Sequence, residues 1–101
     1  MYYQVRISAT SEEEAKSISR MLVEKHLVAW TMYNKWDCHY WWDWEIYENE
    51  YWNIRCSTIG EKKEEIIEAV KKVHRDKCPI IEFTEITWNS EYLNWISDSI
   101  K

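Results

Sequence analysis

Tyr3-Gln4-Val5-Arg6-Ile7-Ser8-Ala9-Thr10-Ser11-Glu12-Glu13-Glu14-Ala15 changes its hydrophobic period in mid-run. Tyr3, Val5 and Ile7 alternate with Gln4, Arg6 and Ser8, the period of a strand with one buried face. Past Ala9-Thr10 the spacing lengthens. Ala15, Ile18, Met21 and Leu22 fall on one side of a helix, and Ser11 with Glu14 makes a capping box at its start. A strand feeding directly into a capped helix that runs to about His26 opens a βα unit.

Working outward, Leu27 to Tyr33 turns β-branched and aromatic, and His39-Tyr40-Trp41-Trp42 resumes that character beyond the polar Asn34-Lys35 pair. The pattern predicts a second strand with a bend. Asp43-Trp44 reads as a turn, and Glu45 to Thr58 as a long third strand in which Trp52, Ile54 and Cys56 share one face, so the two strands form a long hairpin. Gly60, the only glycine, precedes a helix from Glu61 to His74 with Ile66, Ile67, Val70 and Val73 along its apolar stripe. Glu64, Glu65 and Glu68 stand N-terminal to Lys71 and Lys72, which suits the helix dipole. Pro79 leads into a fourth strand, Ile80 to Ile86, and Asn89 or Ser90 caps a short helix with Leu93, Ile96 and Ile100 on one side. The order β-α-β-β-α-β-α predicts an α+β sandwich of the split β-α-β type. Its features are an antiparallel four-stranded sheet with the long helices on one face, an extended hairpin and a C-terminal helix.

A chain of 101 residues fits one domain, spanning 1–101. Eight Trp and seven Tyr are more rings than one small core accommodates, and such residues concentrate at interfaces. A net charge of −5 without a Lys/Arg block argues against a nucleic-acid partner. No apolar run approaches the roughly 20 residues of a membrane span, and the alternating segment starts next to Met1, so a soluble, cytoplasmic chain is expected. Cys38, Cys56 and Cys78 are odd in number and form no CxxC pair, which points to reduced thiols rather than a disulfide framework or a zinc site.

Four segments make the chain resemble the CutA family of divalent-cation tolerance proteins. They are Glu13-Glu14-Ala15 through Leu22-Val23-Glu24-Lys25-His26-Leu27-Val28-Ala29, Tyr40-Trp41-Trp42-Asp43, His74 to Pro79, and Asn89-Ser90-Glu91-Tyr92-Leu93-Asn94-Trp95. The resemblance implies a ferredoxin-like protomer in a homotrimer whose hairpins extend the sheets across subunit boundaries. It also implies an association with divalent cations, copper in particular. The chain reads as a divergent or engineered member, because Trp44 and Glu45 stand where the family usually has glycine and lysine. Ser57-Thr58 likewise replaces a lysine-threonine pair, Arg75-Asp76 a Pro-Tyr pair, and Trp30 a cysteine.

His74 matches the family's histidine region and Cys78 stands four residues on, so this pair is the candidate metal site for copper or another divalent cation. A histidine at a helix end also has a structural use, bonding the last carbonyls of its helix. Of the other family ligand positions, Ile7-Ser8-Ala9 offers no thiol and Ile80 replaces an acid. Cys38-His39 is a second soft pair, but adjacent strand residues point to opposite faces. No catalytic motif is present, and Cys56 in an alternating strand reads as core, so a non-enzyme is expected. Tyr40, Trp41, Trp42, Trp44, Tyr47, Tyr51, Trp52, Tyr92 and Trp95 are the expected anchors of a trimer interface or cleft. The alternative to cation binding is a trimeric interaction scaffold with no metal role.

Overall fold

The computed structural model describes residues 1–76 and 78–100. Its elements run β1 Tyr2–Ala9, α1 Glu12–Glu24, β2 Thr31–Trp42, β3 Glu45–Ile59, α2 Lys63–Val73, β4 Ile81–Ile86 and α3 Ser90–Ser99, with a short 3-10 turn at Gly60–Lys62. The sheet order is β2-β3-β1-β4 and every pairing is antiparallel. This is the α+β split β-α-β arrangement that the sequence predicts.

Each period maps onto a face. Val5, Ile7 and Ala9 of β1 oppose Cys56, Ile54 and Trp52 of β3, so all six project from the same side of the sheet. On that side α1 and α2 bury Ala15, Ile18, Leu22, Ile66 and Val70 against them. The Ser11 hydroxyl accepts from the Glu14 N–H at 3.1 Å, completing half of the expected capping box. The other half is altered: the Glu14 carboxylate reaches the Thr10 N–H and hydroxyl, one residue further back.

Helix α1 ends without glycine. His26 takes φ 57°, its N–H bonds the Val23 carbonyl, and the Leu27 N–H bonds that of Leu22, which together close a Schellman motif. The polypeptide then runs irregularly to Thr31 instead of entering β2 at Leu27. Leu27 and Val28 are apolar because they are buried in this connection, where the Leu27 carbonyl accepts from the Thr58 hydroxyl. Nor does β2 bend at Asn34-Lys35. Asn34 pairs with Asn53 and Lys35 with Trp52 in an unbroken ladder, and the Lys35 ammonium meets Glu50 at 2.9 Å.

Helix α3 departs from the expected one-sided layout by crossing one end of the opposite sheet face. Tyr2 and Arg55 belong to that face; the Tyr2 hydroxyl meets that of Ser97 at 2.7 Å, and Ile96 is fully buried. The remainder of this face stays open.

The hairpin outgrows the sheet. Pairing with β1 stops at Ala9 opposite Trp52, so residues 37–50 form a two-stranded arm, and the molecule is 45 Å long against 24 and 21 Å in its other dimensions. Trp42 pairs with Glu45, leaving Asp43 (φ 50°) and Trp44 (φ 64°) as a two-residue turn with both central residues left-handed. Trp44 is 94% exposed, so its ring gains nothing within the protomer that offsets its backbone. Left-handed strain at a non-glycine residue costs roughly 1–2 kcal/mol, while glycine adds about 0.5–1 kcal/mol of chain entropy. Trp44→Gly is therefore expected to raise the denaturation midpoint, by up to about 1 kcal/mol of stability. A lower midpoint would contradict this account of the turn.

Candidate functional site: an aromatic cleft at the root of the arm

The open sheet face and the connection between α2 and β4 enclose a cleft of about 650 Å³. Arg6 and Ser8 of β1, Trp36, Cys38 and Tyr40 of β2, and Tyr51 and Asn53 of β3 supply its floor, all by the same alternation that sends Val5 and Ile7 into the core. Arg75, Asp76, Cys78 and Ile80 form the opposing wall.

The floor is held by side-chain bonds. Arg6 donates to Asn53 at 2.9 Å, lies 3.5 Å from the Glu82 carboxylate, and places its guanidinium over the Trp36 ring. Tyr51 donates to the Tyr40 hydroxyl, which also accepts from Asn49 at 3.1 Å. That bond, with burial and the nearby charge of Asp76, raises the Tyr51 phenol well above its ordinary pKa, so it stays neutral.

The wall is anchored from beneath by two buried side chains. Glu14 accepts from the Arg75 N–H at 2.8 Å as well as from Thr10. Burial pushes its carboxyl pKa up, but the N–H groups of Thr10 and Arg75, with the Thr10 hydroxyl, outweigh that and hold it below the usual carboxylate range. His74 caps α2 with its own N–H on the Val70 carbonyl, yet its ring turns away from the helix. Nδ1 accepts from the Asp76 N–H at 3.0 Å, and Nε2 faces the Ser8 carbonyl, to which it donates. The ring is therefore the neutral Nε2–H tautomer with both nitrogens in use, and its side chain is wholly buried.

The two candidate metal ligands consequently have different surroundings. Cys78 is exposed and lines the cleft, whereas His74 is turned inward and has no lone pair left for an ion. Among the described residues no three His, Cys, Asp or Glu side chains form a group that could hold a metal ion. The donors of one protomer thus do not fit a divalent cation with several protein ligands. Cys38 and His39 both border the cleft, but the His39 Nε2 already faces Glu48 at 3.2 Å. Cys56 is fully buried, and burial pushes its thiol pKa up to about 12, which keeps it protonated and unreactive.

The expected aromatic anchors divide three ways. Tyr40, Trp42 and Tyr51 line the cleft, whereas Trp52 projects from the core side of the sheet, packs against the core and only borders the cleft. Trp41, Trp44 and Tyr47 stand out along the arm, the first two 69% and 94% exposed. Tyr92 and Trp95 stack on each other with ring centroids 5.7 Å apart, and with Trp30, Met32, Arg55 and Trp88 they border a separate shallow groove beside α3. Arg6, Trp36, Cys38 and Asn53 were not among the expected anchors. Their signal was present, since each falls on the strand parity opposite the core positions.

Comparison with known proteins gives a uniform result. Residues 3–99 match the family described as CutA1 divalent ion tolerance protein. The divalent-cation tolerance protein CutA of Thermotoga maritima is 36% identical over 94 residues, covering 89% of this chain and 90% of that protein. The structure of the periplasmic divalent cation tolerance protein CutA from Archaeoglobus fulgidus superposes with a TM-score of 0.97 at 29% identity, with both chains fully covered. The divalent cation tolerance protein of Thermus thermophilus gives 0.95 at 29%, again over the whole of both chains. None of these names indicates a catalytic activity. With the split β-α-β topology, the long hairpin and the matched segments in agreement, the chain belongs to the CutA1 divalent ion tolerance family.

Proposed function

We propose that the protein works as a non-catalytic, cytoplasmic homotrimer that takes part in cation tolerance by binding divalent cations, copper foremost. The single observation that carries the assembly is the arm: residues 37–50 form a two-stranded ribbon whose β3 edge, from Glu45 to Tyr51, has no neighbour. Two strands alone are marginal in water, and a free edge with Ile46 on it and Trp41 opposite, both exposed, calls for a partner. Copies of the same chain supply one, and closed cyclic symmetry stops the growth. The names of the relatives support the cation role. Since no three-donor group forms among the described residues of one protomer, a divalent ion would take ligands from two copies where an arm meets a cleft.

The scaffold reading without a metal has its own support in the inward-turned His74 and the lack of a three-donor group among the described residues. Titration with Cu²⁺ separates the two, because Trp36 and Trp42 line the cleft and report on it by fluorescence. Saturable quenching by Cu²⁺, with none by Mg²⁺, is the expected result. Absence of saturable quenching would leave the scaffold reading in its place.

A further inference from the structure

Arg75 and Asp76 are consecutive on the cleft wall, and the backbone of each is fixed from below. The Arg75 N–H donates to the Glu14 carboxylate at 2.8 Å and the Asp76 N–H to His74 Nδ1 at 3.0 Å, and both acceptor side chains are buried. Their own side chains line the cleft, and neither makes an ion pair among the described residues. The other charges there are matched, Arg6 by Glu82 at 3.5 Å and His39 by Glu48 at 3.2 Å. One cation and one anion, side by side on a rigid wall, are left over. Across from them the floor is a strip of rings. Trp36, Tyr40 and Trp42 alternate onto it along β2, and Tyr51 joins them from β3. Trp36 and Trp42 are 45% and 48% exposed, so much of their surface stays open. The Asp76 charge acts on the Tyr51 phenol, which shows that wall and floor face each other closely.

We propose that the cleft binds a free α-amino acid with an aromatic side chain, its carboxylate on Arg75, its ammonium on Asp76 and its ring on the aromatic floor. The proposal needs no metal and stands apart from the cation reading. The cleft volume of about 650 Å³ falls within the range of roughly 300–1,000 Å³ typical of small-molecule sites, and its lining has their character, aromatic with a few polar groups. The charge pair decides the class of head group. A plain anion would leave Asp76 as a like charge beside it, and a plain cation would meet Arg75 in the same way. A zwitterion satisfies both, and an α-amino acid carries its two charges on one carbon, matching two residues whose Cα atoms are about 3.8 Å apart. Both contacts are charge-assisted hydrogen bonds, and the guanidinium can grip a carboxylate with two N–H groups. The open rings select an aromatic body, which stacks or packs edge-on against them. Because Glu14 and His74 hold the wall before any ligand arrives, little ordering is left for binding to supply.

The test is calorimetric titration of the full chain with L-phenylalanine, with a chelator present so that no cation takes part. Saturable binding of one molecule per chain is expected, and L-alanine, which lacks the ring, should bind at least about tenfold more weakly. Two analogues separate the head-group contacts: phenethylamine lacks the carboxylate and hydrocinnamate lacks the ammonium. Arg75→Gln should weaken L-phenylalanine by about tenfold or more without weakening phenethylamine, and Asp76→Asn should do the same without weakening hydrocinnamate. Both substitutions keep the backbone N–H groups that Glu14 and His74 hold, so the wall should keep its place, and circular dichroism checks the fold. Absence of saturable binding up to the solubility of L-phenylalanine would overturn the site. So would L-alanine binding as tightly, either variant keeping the parent's affinity for L-phenylalanine, or each variant weakening all the ring-bearing ligands alike. The response to Cu²⁺ is read in a separate titration, so the cation reading can stand or fall without altering this result.

Discussion

Glu14→Ala is expected to destabilise the protomer by about 2–4 kcal/mol, because it strands two backbone N–H groups in a part-buried position where each costs about 1–3 kcal/mol. Glu14 is only 5% exposed and accepts from Thr10 at the end of β1 and from Arg75 at the start of the cleft wall. One carboxylate therefore joins the first strand, the first helix and the segment that carries Cys78. Its pKa is lowered in the folded protein, so the stability it contributes is present above the ordinary carboxyl value of 4.5 and is lost as pH falls through the lowered one. The parent should lose stability on acidification below about pH 5, and the alanine variant should show a flatter profile there. Chemical denaturation across that range measures both effects. A loss under about 1 kcal/mol with an unchanged pH profile would contradict the role given to this residue.

The second large effect concerns assembly. Trp41 and Ile46 lie directly opposite one another on the arm and are 69% and 62% exposed. Replacing them together, Trp41→Lys with Ile46→Glu, keeps a favourable cross-strand pair while removing the apolar surface offered to another copy. The proposed trimer is expected to fall to monomers. The core should persist, since Ile7, Ile54 and their neighbours lie beyond the root of the arm. Light scattering reads the mass and circular dichroism the fold. A variant that keeps the parent's mass would show that this pair lies outside the interface.

Most of the fold was legible because period and face coincide. The alternation of Val5 with Arg6 and of Ile54 with Arg55 separates core from open face, and the stripe of Ile66 and Val70 points α2 at that core. Two features ran against pattern. Leu27 and Val28 look like the start of a strand because they are apolar, but burial in a connection demands the same residue type. Asn34-Lys35 looks like a break because it is polar, yet β2 is the edge strand of the sheet and both residues are exposed, so polar residues fit a continuous ladder there. The placement of α3 on the opposite face was likewise not encoded in element order, which constrains the two crossover helices but leaves a C-terminal helix free.

The site was less legible, and the reason lies in long-range contacts. His74 at a helix end reads equally as ligand or cap, and only its proximity to Ser8, 66 positions away, shows where its ring nitrogens are used. Cys38 and Cys78 each look isolated in the sequence; the cleft that both line is made by the turn of α2 back onto the end of β1. Trp44 shows the converse. It stands where the family usually has a glycine, and the left-handed backbone at that position accounts for the glycine in physical terms.

The proposed trimer would pair the free edges of the arms, and the most direct measurement is the solution mass of the unmodified chain, by light scattering after size exclusion at low micromolar concentration. Three chains of 12.5 kDa should give about 37 kDa at every concentration tested. A single species at 12.5 kDa would contradict the account, because the unpaired edge from Glu45 to Tyr51 and the exposed tryptophans would then stand in water with no partner of their own kind.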